Sequence, residues 1–211
     1  MKVQVLVLAK EPRPGRVKTR LCPPCTPEQA AAVAAASLAQ TLTTVDAAPV
    51  DRRTLVISGR YRAPCGWGSI DQRGDGLGER LAHAFADTAR PGWATVLIGM
   101  DTPQVGPAEL SAVVRGLTRA DAVLGPAEDG GWWALGLLDP GPAAVLRDVA
   151  MSTAETGELT RKALLAKGLT VASGPSLRDV DTAADAHAVA ALCPGSRFAV
   201  AVEAVPGAVL R

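Results

Sequence analysis

Val3-Gln-Val-Leu-Val-Leu-Ala9, followed at once by Lys10-Glu-Pro-Arg-Pro-Gly-Arg-Val-Lys-Thr-Arg20, is the stretch on which the reading of the fold turns. Six of the first seven residues are apolar and no charge interrupts them, the pattern of a buried strand rather than a half-wet one. The strand ends at a basic loop. Beyond the loop, Thr26-Pro-Glu-Gln29 opens a helix. It offers a Thr N-cap, a Pro at the first helical position and a Gln at the capping-box position. That helix runs to about Val45, with Leu38, Leu42 and Val45 on one face.

The same alternation continues outward. Arg53–Ser58 reads as a strand, Gly76–Ala89 as a helix, Ala94–Gly99 as a strand and Pro107–Leu117 as a helix. Ala122–Gly125 and Trp132–Leu138 read as strands, Pro142–Val149 and Thr153–Lys167 as helical. Strands at Leu169–Ala172 and Leu177–Val180 and a helix at Ala183–Leu192 complete the series. Strands separated by helices mean βαβ units, hence an α/β fold with a mainly parallel sheet. Ligands of such sheets bind beyond the carboxyl ends of the strands.

The 211 residues (21.6 kDa, 48% hydrophobic, 20% charged) suit a single domain, 1–211, with a large core. A net charge of +1 argues against a nucleic-acid partner or an acidic membrane surface. No signal peptide precedes Lys10, and the longest uncharged run, Gln29–Val45, is too short and polar to span a bilayer, so the expected location is the cytoplasm. Cys22-Pro-Pro-Cys25 has redox or zinc spacing, but no second pair and no paired His accompanies it, which leaves ordinary loop cysteines. His83 and His187 lie in helices without a neighbouring nucleophile, so neither builds a hydrolase triad.

Chemistry collects at the strand ends. Lys10–Arg20 holds five bases and one acid, a net +4 suited to polyphosphate, though it is no Walker A loop. Asp101, in Gly99-Met-Asp-Thr-Pro103, is released at the end of a buried strand, where it can hold a hard divalent cation or cap the next helix. Asp179-Val-Asp181-Thr182 supplies further carboxylates, Asp181 also standing where a helix cap would. Gln72-Arg-Gly74-Asp-Gly-Leu-Gly78 is permissive backbone able to approach a flat base or sugar. In Gly125-Pro-Ala-Glu128-Asp129-Gly-Gly-Trp-Trp133 the chain turns back as a strand. One acid can then face a substrate, and the two tryptophans take opposite faces.

Four segments, Ala9–Leu21, Gly99–Pro103, Gly125–Trp133 and Asp179–Thr182, stand in the order and rough spacing of a known family. From residue 1 to about 190 the chain resembles the bacterial glycosyltransferase-like proteins called radical-SAM/selenodomain-associated transferase 1. The resemblance implies a three-layer α/β/α form of the GT-A nucleotide-diphospho-sugar transferase fold. Lys10, Arg13, Lys18 and Arg20 would meet the phosphates, and Gln72, Gly74 and Gly78 the nucleoside. Asp101 would ligate Mg²⁺ or Mn²⁺ with Asp181 nearby, and Glu128 and Asp129 would face sugar or acceptor, Asp129 as general base and Glu128 as its substitute. Met151-Ser-Thr153 departs from the Trp-Ser-Thr of relatives, and residues 193–211 have no counterpart.

The expected activity is transfer of a sugar from a nucleotide-diphospho-sugar donor to a small-molecule acceptor. Related guanylyltransferases share Lys18-Thr-Arg-Leu21 and Asp179-Val-Asp-Thr182, which makes nucleotidyl transfer with release of pyrophosphate the alternative. A non-catalytic nucleotide-binding module is the other.

Overall fold

The computed structural model describes residues 1–205. In chain order its elements are β1 (Lys2–Lys10), α1 (Pro27–Ala47), β2 (Arg52–Ser58), β3 (Gly68–Asp71), α2 (Leu77–Thr88), β4 (Trp93–Gly99) and α3 (Pro107–Gly116). There follow β5 (Ala122–Pro126), β6 (Trp132–Leu137), α4 (Thr156–Ala166), β7 (Val171–Ser173), α5 (Ala183–Leu192) and α6 (Arg197–Glu203). Short 3-10 helices cover Thr19–Leu21 and Gly141–Asp148. Among the described residues no helix is long and apolar enough to cross a membrane.

The seven strands form one sheet in the order β3-β2-β1-β4-β6-β5-β7. All pairings are parallel except those of β6, which runs antiparallel between β4 and β5. Strand periodicity of two divides β1 between two cores. Val3, Val5 and Val7 pack with Leu38, Leu42 and Val45 of α1 and Leu110 and Val113 of α3. Leu6 packs on the other face with Leu81 and Phe85 of α2, Leu146 of the second 3-10 helix and Leu164 of α4. These are the three layers expected.

Local chemistry fixes the helix starts. Thr26 Oγ1 accepts from the Gln29 amide while Gln29 Oε1 accepts from the Thr26 amide, at 3.3 and 2.8 Å. At the start of α3 the Gly106 amide donates to Glu109 Oε2 at 2.9 Å, the half of that arrangement a glycine cap allows. At α5 it is Thr182, not Asp181, that caps, its hydroxyl accepting from the Asp185 amide. Asp181 is thereby left for other work.

Two further readings are corrected. Leu177–Val180 is not a strand: Leu177 forms one isolated parallel bridge to Ala127 and the rest of the segment stays out of the ladder. Pro142–Val149 is helical as read, in 3-10 form. Phe198 onward reads as an edge strand or contact surface, yet Arg197–Glu203 is a helix, with Phe198 and Val202 packed on Ala30 and Val33 of α1. Residues 206–210 of that stretch lie outside the described residues. Cys22 and Cys25 border the same small core as free thiols, Cys25 buried.

Gly78 sets how closely α2 approaches the second 3-10 helix. A Cβ there would lie 2.2 Å from the Leu146 carbonyl oxygen, and backbone cannot rotate away as a side chain can. Gly78→Ala is therefore expected to destabilise by about 1–3 kcal/mol, the usual range for overpacking. Thermal unfolding should show a Tm several degrees lower. An unchanged Tm would mean that the two helices separate freely.

Candidate functional site

A cleft of about 750 Å³ opens over the carboxyl ends of β1 and β4. Lys10 at the end of β1, Arg16 from the loop that follows and Arg80 from α2 bring positive charge to its lining. An acidic wall gathers Asp101 after β4, Asp129 from the β5–β6 turn, and Asp179 and Asp181 before α5, and Asp75 before α2 also lines the cleft. Lys18 sits within the acidic wall, its Nζ 2.6 Å from Asp101 Oδ1 and 4.0 Å from Asp181 Oδ1, and donating to the Val180 carbonyl.

The acidic wall is held by backbone and buried hydroxyls. Ser37 of α1 donates to the Met100 carbonyl and Thr44 to that of Val105, so α1 fixes the loop on both sides of Asp101. The Val180 amide donates to the Asp101 carbonyl at 2.9 Å. Gln104 Nε2 donates to the Arg178 carbonyl at 2.7 Å, and the Glu128 amide to that of Leu177 at 2.9 Å. Residues 177–180 thus run between the end of β5 and the loop after β4 without joining the sheet.

Asp129 is placed by a turn whose geometry glycine permits. Gly130 has φ +89°, and a Cβ on it would stand 1.9 Å from the Ala154 carbonyl oxygen. The Gly157 amide donates to the Gly130 carbonyl at 2.8 Å, pinning the start of α4 to the turn. Asp129 Oδ1 accepts from the Gly131 amide, the remaining oxygen being free toward the cleft. Ser152, Thr153, Met151 and half-buried Trp132 complete this side. Trp133 takes the other face, buried, with its Nε1 donating to the Pro175 carbonyl.

Of the residues singled out from sequence, Lys10, Lys18, Arg20, Gln72, Asp101, Asp129 and Asp181 meet in this cleft. Gln72 spends its amide hydrogens on the carbonyls of Ala9 and Val56, at 2.7 and 3.1 Å, which leaves its oxygen as the group a ligand can use. Arg20 pairs with Asp181 Oδ2 at 3.1 Å. Arg13 is exposed on the loop and lies outside the cleft lining, as do Gly74 and Gly78. Glu128 is turned away from the cleft and bound to Arg178 at 2.7 Å. Arg16, Asp179 and Trp132, all within motifs already noted, join them, and Arg80 is an addition.

Asp179 is the electrostatically unusual member. Its Oδ1 is sealed from solvent with no hydrogen-bond partner. Desolvation, then the negative charges of Asp101, Asp129 and Asp181, push its pKa up to about 7 against the partial relief of Lys18. Among the described residues no three His, Cys, Asp or Glu side chains stand close enough together to cage an ion as they are. The donor set nevertheless fits a hard divalent cation: all oxygen, carboxylates from two chain segments, and one sealed oxygen lacking a positive partner.

A parallel-rich sheet with this cleft over its strand ends has the architecture of nucleotide-diphospho-sugar transferase-like proteins. The chain belongs to the family DUF2064, described as an uncharacterized protein conserved in bacteria, whose profile matches residues 29–153. Among solved structures it is similar to a candidate nucleotide-diphospho-sugar transferase from Desulfovibrio desulfuricans G20. The two share 24% identity and a TM-score of 0.85 over 96% of this chain and 95% of that one. It is also similar to Rv0371c from Mycobacterium tuberculosis H37Rv in complex with manganese (21% identity, TM-score 0.52, 90% and 97% covered). A third likeness is to the 2-C-methyl-D-erythritol 4-phosphate cytidylyltransferase of Thermus thermophilus (15%, 0.54, 95% and 99%). No curated protein matches the sequence.

Proposed function

We propose that the protein is a metal-dependent glycosyltransferase moving a sugar from a nucleotide diphosphate donor to a small-molecule acceptor. The observation that carries this reading is that one cleft is lined both by the cations Lys10, Arg16 and Arg80 and by the carboxylates Asp101, Asp129, Asp179 and Asp181. A diphosphate needs the first and its divalent partner the second. The manganese complex of Rv0371c supports a cation of that kind.

Asp101 and Asp181 would hold Mg²⁺ or Mn²⁺, which would supply Lewis-acid stabilisation of the diphosphate leaving group. The residues of the chain do the rest. Lys10, Arg16 and Lys18 bind and orient the phosphates, and Gln72 accepts a hydrogen bond from the base. Asp129 takes the proton of the acceptor hydroxyl as its oxygen bonds to the anomeric carbon and the sugar–phosphate bond breaks. Trp132, Ser152 and Thr153 line the same cleft as Asp129 and offer a ring and hydroxyls to a polyhydroxylated substrate.

A thermal-shift panel tests the reading: UDP-, GDP-, CDP- and dTDP-sugars and the matching triphosphates, each with Mn²⁺ or with EDTA. A ligand at a hundredfold over its Kd adds about 2.7 kcal/mol, a rise of several degrees for a chain of this size. The expected result is a metal-dependent rise with one diphospho-sugar. A rise confined to a triphosphate, with pyrophosphate as product, replaces the proposal by nucleotidyl transfer. Binding without turnover for any acceptor makes the chain a nucleotide-binding module.

A further inference from the structure

Lys18 is an unusual residue in its backbone, its burial and its company. It is not glycine, yet its φ is +50°, in the left-handed region that L-residues seldom occupy. Its side chain is only 6% exposed, and its ammonium lies in the gap between Asp101 and Asp181 while also donating to the Val180 carbonyl. Those are the two carboxylates proposed above as metal ligands. A lysine that served only to greet phosphate would have no need to be sealed against the acidic wall.

We propose that Lys18 is a built-in counter-cation, which a divalent metal displaces from Asp101, and that the nucleotide's diphosphate receives the displaced ammonium. The inference rests on the metal site proposed above. Asp101 Oδ1 is 2.6 Å from Nζ, so a divalent ion ligated by the same oxygen at about 2.0–2.6 Å would stand against an ammonium it repels. Without nucleotide, the ammonium holds its place and metal binds weakly. With a diphosphate held by Lys10 and Arg16, which line the same cleft, Lys18 gains a second set of anionic oxygens. Metal and nucleotide then promote each other's binding by the same factor, as linkage requires. Arg20 keeps Asp181 Oδ2 neutralised in both states.

Mn²⁺ titration of the full chain, followed by the electron spin resonance of free Mn²⁺, tests this with and without UDP or GDP. Wild type should bind Mn²⁺ at least tenfold more tightly when the diphosphate is present. Lys18→Met should bind Mn²⁺ alone at least tenfold more tightly than wild type, with the diphosphate effect largely gone, and Lys18→Arg should keep the wild-type pattern. Lys18→Gln replaces the Met variant if the latter does not fold, and Mn²⁺ should raise the Tm of either more than that of wild type. Equal Mn²⁺ affinity in wild type and Lys18→Met overturns the role given to Lys18 and leaves the metal site standing. An absence of Mn²⁺ binding in every variant, diphosphate included, overturns both.

Discussion

Asp101→Asn should lower kcat by about a hundredfold to a thousandfold while moving the Tm by only a few degrees. Asn keeps the shape of the side chain and an oxygen for the Lys18 ammonium, 2.6 Å away in the wild type, so the mostly buried lysine is not stranded. What is lost is the negative charge facing the cleft. If Asp101 anchors a cation that neutralises the leaving diphosphate, its loss removes several kcal/mol of transition-state stabilisation, each 1.36 kcal/mol being about tenfold in rate. Asp101→Ala should be equally inactive but less stable, because Lys18 then loses its nearest partner. Turnover is read as nucleoside diphosphate released from the donor that the binding panel selects. A variant keeping more than a tenth of wild-type kcat would remove Asp101 from the chemistry.

Asp179→Asn should stabilise the metal-free protein, and by an amount that grows with pH. The folded-state pKa of Asp179 is about 7 against 3.8 for the free side chain. Below pH 3.8 both states are protonated and the variant has no advantage. As pH rises from there to about 7, the unfolded chain gives up a proton that the folded protein keeps, so wild-type stability falls. Above 7 the burial cost is constant, on the order of 4 kcal/mol. Urea unfolding in EDTA at several pH values between 4 and 8 measures this. A difference that does not change with pH would show that Asp179 ionises normally. With Mn²⁺ added the ranking should narrow or invert, because the variant offers the cation one carboxylate fewer.

The fold was legible wherever apolar runs are long. β1, β4 and β5 carry buried apolar runs and β2 a shorter one, Leu55-Val-Ile57, and α1 announces itself by its Thr26 cap. β3 was not, since Gly68-Ser-Ile-Asp71 is a four-residue edge strand with one apolar side chain and no period to read. Nor was α6, whose run of Ala and Val fits a strand equally well until Phe198 and Val202 find α1.

The candidate site was legible as motifs more than as side chains. Charge in the loop after β1 is plain, but sequence does not say that Arg16 turns into the cleft and Arg13 does not. Glu128 and Asp129 are neighbours, and what draws them apart is Arg178, fifty residues away. Asp179 is separated from Asp181 by one residue. The difference between a sealed oxygen and a surface ion pair arises from how residues 177–180 wedge between two strand ends.

That wedge has a consequence for the protein's birth. Lys18 and the Val180 carbonyl it binds are 162 positions apart, whereas the last strand of the sheet, β7, ends at Ser173. A chain still on the ribosome, or one cut short just after β7, holds every strand of its sheet and the whole basic loop. It lacks Asp181, which pairs with Lys18 and Arg20 of that loop, and the sealed Asp179 beside it. Loop closure over such a separation is among the slowest kinds of contact to form. Activity on refolding should therefore lag behind the recovery of secondary structure, and a half-made chain that already looks folded remains silent.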